Sequence, residues 1–244
     1  MRESNESKGG VMRKFVIIII LAMVPSLLIT LPASAMTVTA YIEASRDNTL
    51  FEDPAGALSS GAGPALFAGR TNQPMNSIRR GIIYFDVASA LPANAVIKDA
   101  SLMLYMTKAN NINRVITLHR LLRDWGEGAS VSSGGRGAPA EPGDATWLHT
   151  FYPDTFWNRE GGHYVGRVSA RLAVGDVIGY YASGSTKQMV QDIHRWLKRP
   201  GMNYGWMLKG EESVPQTVVP FASREHPDPD RVPLLEVIYK VPAE

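Results

Sequence analysis

The chain has 244 residues, 25 Lys and Arg, 23 Asp and Glu, no cysteine, and a formal net charge of +2. So even a balance excludes a general nucleic-acid binder, whose affinity rests on neutralising phosphates with an excess of cations. With no disulfide available, stability must come from the core.

At the amino terminus, Arg13 and Lys14 precede an uncharged apolar run from Phe15 to Leu31, and Ala33-Ser34-Ala35 follows. Residues 1–35 are expected to be a signal peptide, so the chain reads as secreted, to the extracellular space or cell envelope, with no membrane attachment after cleavage. The competing reading is a retained anchor, because the run approaches the ~18 residues that span a bilayer. Pro25 and Pro32 interrupt it, and the small residues at its end suit cleavage. Met12 is a possible alternative start. The segment carries Arg2, Lys8, Arg13 and Lys14 against Glu3 and Glu6, so the remainder, 25 less four and 23 less two, has 21 charges of each sign. Residues 36–244 suffice for one sizeable core and are expected to be a single domain.

The periodic signals along that domain are those of strands. Ala100, Leu102, Leu104 and Met106 alternate with Ser101, Met103 and Tyr105, as a pleated strand requires. Arg80 to Val87, Val115 to Leu122 and Leu234 to Tyr239 are rich in β-branched, aromatic and aliphatic residues between turn formers. Thr37 to Glu43 and Trp206 to Lys209 are further expected strands, and Ala90 to Ala95, with Pro92, a tight connection entering a strand at Val96-Ile97. One segment breaks the pattern: Met189, Val190, Ile193, Trp196 and Leu197 fall at helical spacing, with Ser185 or Thr186 as a cap and Pro200-Gly201 as a stop. The fold class is therefore all-β, a β-sandwich of jelly-roll type with one short helix near residues 187–197. Asp192 and His194 are expected on other faces of that helix than the core.

The stretch from Gly126 to Asp144, rich in Gly, Ser and Pro, reads as an excursion from the sheet that buries little surface. Neither it nor Gly61-Ala62-Gly63-Pro64 matches a phosphate or dinucleotide loop. There is no Gly-x-Ser-x-Gly elbow, and His119, His149, His163, His194 and His226 are dispersed. Asp124, Glu127 and Asp144 could form an acid/base pair, but holding loop backbone is the simpler role.

Two groups stand out as candidate sites. In the first, Trp147, Phe151, Tyr152, Phe156, Trp157 and Tyr164 crowd a loop-rich segment with Asn158, Arg159 and Gly161-Gly162. Exposed aromatics stack on sugar rings through apolar and CH–π contacts. Trp157 is the expected platform, with Asn158, Arg159, Tyr164 and Tyr152 around it, and Trp147 is expected in the core. In the second, Asp47, Asn48, Glu52 and Asp53, joined by a carboxylate from elsewhere, are candidate calcium ligands. Asp47-Asn48 equally suits a turn. Arg224-Glu225 fits an ion pair or hydrogen-bond clamp closing the sandwich.

The order of Asp47-Asn48-Thr49-Leu50, Arg79-Arg80-Gly81 with Phe85-Asp86, Trp125-Gly126-Glu127-Gly128, Asp144-Ala145-Thr146-Trp147, Gly161-Gly162, Asn203-Tyr204-Gly205-Trp206 and Ser223-Arg224-Glu225 resembles DNRLRE-type secreted domains, relatives of β-sandwich carbohydrate-binding modules. It runs from about Thr39 to Tyr239. The family often has Asp and Phe after the paired glycines, where His163-Tyr164 stands here. The resemblance implies a non-catalytic module with a polysaccharide partner at a cell surface or in the environment. The alternatives are a structural matrix or cell-surface protein with protein partners, and a polysaccharide-degrading enzyme.

Overall fold

Two antiparallel sheets joined through a shared strand enclose the main core. The computed structural model describes residues 36–109, 113–132 and 134–242; the expected signal peptide lies outside the described residues. In chain order the elements are β1 (Met36–Glu43), β2 (Arg46–Phe51), β3 (Leu58–Ser59), β4 (Ala65–Arg70), β5 (Ile78–Tyr84), α1 (Val87–Ala90), β6 (Val96–Met106) and β7 (Arg114–Arg120). There follow β8 (Ala138–Pro139), β9 (His149–Phe151), β10 (Thr155–Phe156), β11 (Ala170–Val174), β12 (Gly179–Ala182), α2 (Lys187–Lys198), β13 (Trp206–Lys209), β14 (Val219–Ala222) and β15 (Leu234–Val241). One layer runs β1-β15-β6-β14-β4, with β12 also on β6; the other runs β4-β5-β13-β7-β11, with β2 also on β5. Strand β4 belongs to both, pairing Ala65–Ala68 with β14 and Gly69-Arg70 with β5.

The all-β fold matches the expectation from patterning, and β6 shows why. Ala100, Leu102, Leu104 and Met106 are buried, as their alternation requires. Ile97 is buried too, three residues before Ala100, which would put it on the wrong face of a regular strand. A bulge resolves the phase: Ile97 pairs with Tyr239 and Asp99 with Ile238, so Lys98 is the extra residue. The strand expected over Arg80 to Val87 stops at Tyr84, because Asp86 caps α1, accepting from Ser89 N–H at 3.2 Å.

Helix α2 forms where expected, capped by Thr186 Oγ1, which accepts from Met189 N–H at 3.0 Å. Met189, Ile193, Trp196 and Leu197 enter the core, and the Trp196 ring meets Trp206 with centroids 4.4 Å apart. Asp192 corrects the reading: it is buried, and its carboxylate accepts from Ser169 Oγ and Trp206 Nε1 while facing Arg120 Nε at 3.2 Å. Ile83, Trp206 and Leu208 face the main core, while their neighbours Ile82 and Met207 face the opposite side of the second layer.

That opposite side is covered as well. Leu50, Ile82 and Met207 are joined by Leu121, Trp125, Ala145, Trp147 and Trp157 in a second cluster. The excursion after Gly126 therefore takes part in burial, contrary to its composition. Ser130, Ser132 and Asp144 are buried, β8 pairs with β3, and the buried Arg79 donates from Nε to Gly135 O at 2.6 Å. Polar loop residues can line an interior when their hydrogen bonds are made internally.

Candidate functional site

A groove of about 420 Å³ opens over the second cluster, lined by Asn158, Arg159, His163, Tyr164 and Gly166. Its geometry is set by the turn at Gly161-Gly162, whose φ values are +71° and +97°. Side chains there have no room: a Cβ on Gly161 would lie 2.7 Å from the Trp147 ring, and one on Gly162 2.3 Å from Met207 Cε. Arg80 clamps the turn, donating from Nη1 to Gly161 O at 2.7 Å while its Nε and Nη2 make a two-point contact with Glu212. Gly161 N–H in turn donates to Trp147 O at 2.8 Å. Beyond the turn, Leu122 N–H donates to His163 O and Val165 N–H to Arg120 O, so the chain runs alongside the end of β7.

The groove side chains are held in defined positions. Asn158 Oδ1 accepts from Arg123 Nε at 3.1 Å. Arg159 donates from Nη2 to Tyr164 O at 2.9 Å, with its guanidinium 4.6 Å from the centre of the Tyr164 ring. Lys209 Nζ donates to the Tyr164 hydroxyl at 3.1 Å, and His119 meets the ring edge-on. His163 is held below the usual imidazole pKa, chiefly by burial and then by Arg159 and Arg123, so it is neutral at pH 7. Its Nδ1 has no hydrogen-bond partner. The groove thus presents an imidazole, an amide and the Arg159 guanidinium around a tyrosine, a set suited to hydrogen bonding with hydroxyls.

Of the residues singled out by sequence, Asn158, Arg159 and Tyr164 come together here. Trp157 does not line the groove. It is only 6% exposed, packed in the second cluster, and its Nε1 donates to Thr146 O at 2.9 Å, so the ring cannot serve as an open platform. The reason is the sheet face beneath it, which needs apolar cover and takes Trp125, Trp147 and Trp157 for that purpose. Tyr152 belongs to a separate aromatic group, edge-on to His149, whose ring also meets the exposed Phe156 at 4.3 Å. His163, Arg123 and Lys209 escaped the sequence reading as site residues. The nearness of His163 in sequence to Asn158, Arg159 and Tyr164 was the available signal for it.

Calcium takes six to eight converging oxygens, and the structure engages Asp47, Asn48, Glu52 and Asp53 with different partners. Asp47 and Asn48 are successive residues of β2 and point to opposite faces. Asn48 is wholly buried, donating to Ser59 Oγ, Glu127 O and Ala145 O. Glu52 accepts from Ile78 N–H, and Asp53 caps a turn by accepting from Ala55 and Ala57 N–H. Among the described residues no group of three His, Asp or Glu side chains converges as metal ligands. Asp47 instead meets Glu127, Arg224 and Glu225. Arg224 Nη1 lies 3.1 Å from Glu127 and 2.6 Å from Glu225, joining β2, the excursion and the loop after β14.

Compared with known proteins, the chain matches no protein-family model and no curated sequence.

Proposed function

We propose that this protein is an exported, non-catalytic module that binds polysaccharide in the groove formed by Asn158, Arg159, His163 and Tyr164. The observation that carries the reading is the convergence of Asn158, Arg159 and Tyr164 with His163 in one open groove, on a segment hydrogen-bonded to the end of β7. Loops fixed on a β scaffold are common locations for binding residues, because the scaffold prepays their ordering entropy. The resemblance of the motif order to DNRLRE-type domains points the same way. Guanidinium and amide groups held by their own hydrogen bonds suit the hydroxyl array of a sugar chain.

The test is affinity electrophoresis of the protein through gels containing soluble polysaccharides, with Asn158→Ala/Arg159→Ala alongside. Retardation in one gel that the double variant loses would support the reading. Free migration in every gel would sink it and favour the structural alternative. For that alternative the relevant surface is strand β1, an edge strand paired on one side to β15, with Met36 and Tyr41 exposed.

A further inference from the structure

A second cavity lies between α2 and the start of β6. It has a volume of about 560 Å³, within the ~300–1,000 Å³ of small-molecule sites. Val96 and Val190 give it an apolar floor, and Val96 is 39% exposed there. Its rim is cationic: Arg195, Lys198 and Arg199 line it beside His194, and no acidic side chain does. Lys240 stands opposite Val96 in the strand register.

Helical spacing produces this arrangement. Val190, His194 and Lys198 form one i, i+4 stripe, and Arg195 and Arg199 belong to the adjacent stripe, while Met189, Ile193, Trp196 and Leu197 face the core. Cations in the last turn complement the helix dipole. That effect accounts for charge at the helix end, but not for a concave surface floored by valines. Lys198 Nζ donates to Ala93 O at 3.1 Å. Arg195 and Arg199 have no side-chain ion pair among the described residues, although residues 36–244 are formally neutral overall. Neighbouring unpaired cations repel, and one anion placed between them would relieve that repulsion.

We propose that this cavity is a binding site for a small amphiphilic anion, a single carboxylate, phosphate or sulfate carried on an apolar chain. The Arg195 and Arg199 guanidinium groups would take the anion through paired N–H donors, and Val96 and Val190 would cover the chain. The site is separate from the groove at Asn158 and does not depend on polysaccharide binding there.

Isothermal titration of the intact protein with decyl phosphate, kept below its micelle-forming concentration, tests the assignment against inorganic phosphate and decanol. The expected result is saturable 1:1 binding of decyl phosphate, weakened about tenfold or more in Arg195→Gln/Arg199→Gln and reduced by added salt. Arg159→Ala should bind it as the parent does. Because Arg195 and Arg199 are exposed, the double variant should fold normally, and circular dichroism would check that. Inorganic phosphate binding as tightly as decyl phosphate would overturn the proposal, as would undiminished binding by the double variant, decanol matching decyl phosphate, or no saturable binding.

Discussion

Arg224 donates its main-chain N–H to Oδ2 of Asp47 at 2.7 Å, across 177 residues of sequence. The contact fastens the loop after β14 to β2, and the Arg224 side chain extends the clamp to Glu127 and Glu225. Burial raises the carboxyl pKa of Asp47 well above its ordinary value. Burial, followed by the Glu127 charge, raises Glu225 to about 7. One guanidinium therefore serves a site at which not all the carboxylates ionise easily.

The sign of the resulting pH dependence follows from linkage. Glu225 holds its proton more tightly folded than unfolded, so its contribution is full below an unfolded value of about 4.5 and is lost as pH rises through about 7. Allowing for its partial exposure, the contribution is on the order of 2 kcal/mol. Glu225→Gln should remove this step. Scanning calorimetry between about pH 5 and pH 8 should show the parent losing several degrees relative to the variant. Parallel melting curves for the two proteins would show that Glu225 titrates normally.

Trp157 makes a prediction of the opposite kind from the one its sequence context suggests. Trp157→Ala should cost about 3–5 kcal/mol, from lost burial and the cavity left in the second cluster. Trp157→Phe, which chiefly loses the bond to Thr146 O, should cost about 1 kcal/mol plus its lost area. Denaturant titration measures both. A Trp157→Ala protein with parental stability would mean that the ring is a surface group after all.

The contrast between Trp157 and Asn158 marks how far the sequence was readable. Strands with regular alternation, such as β6, and the helix at Lys187–Lys198 announced themselves, because their burial follows a local period. Strand β2 did not: Asp47, Asn48 and Thr49 are polar yet buried, satisfied by partners distant in sequence, such as Glu127 and Arg224. The second core was hidden for a similar reason. Trp125, Trp147 and Trp157 sit in aperiodic loops, and only the tertiary fold lays them on Leu50, Ile82 and Met207. Asn158, Arg159 and Tyr164 were legible as a group because they are near in sequence, whereas Arg123 reaches them through the fold.

Asp192 supplies a sharper test of the buried network under α2. Its Oδ2 accepts from Ser169 Oγ at 2.5 Å and Trp206 Nε1 at 3.1 Å, and its Oδ1 accepts from Gln188 Nε2 and faces Arg120 Nε. Removing the carboxylate alone leaves Arg120 without its buried counter-charge and the Trp206 N–H without an acceptor. Asp192→Ala should therefore cost about 3–5 kcal/mol. Replacing both charges, as in Asp192→Leu/Arg120→Met, should be less damaging than Asp192→Ala, because no unpaired charge remains in the interior and apolar volume is retained. Urea unfolding of the three proteins decides it. If the double variant is the least stable, the network contributes net stabilisation beyond the penalty of breaking it, and the ion pair is more than mutual compensation for two buried charges.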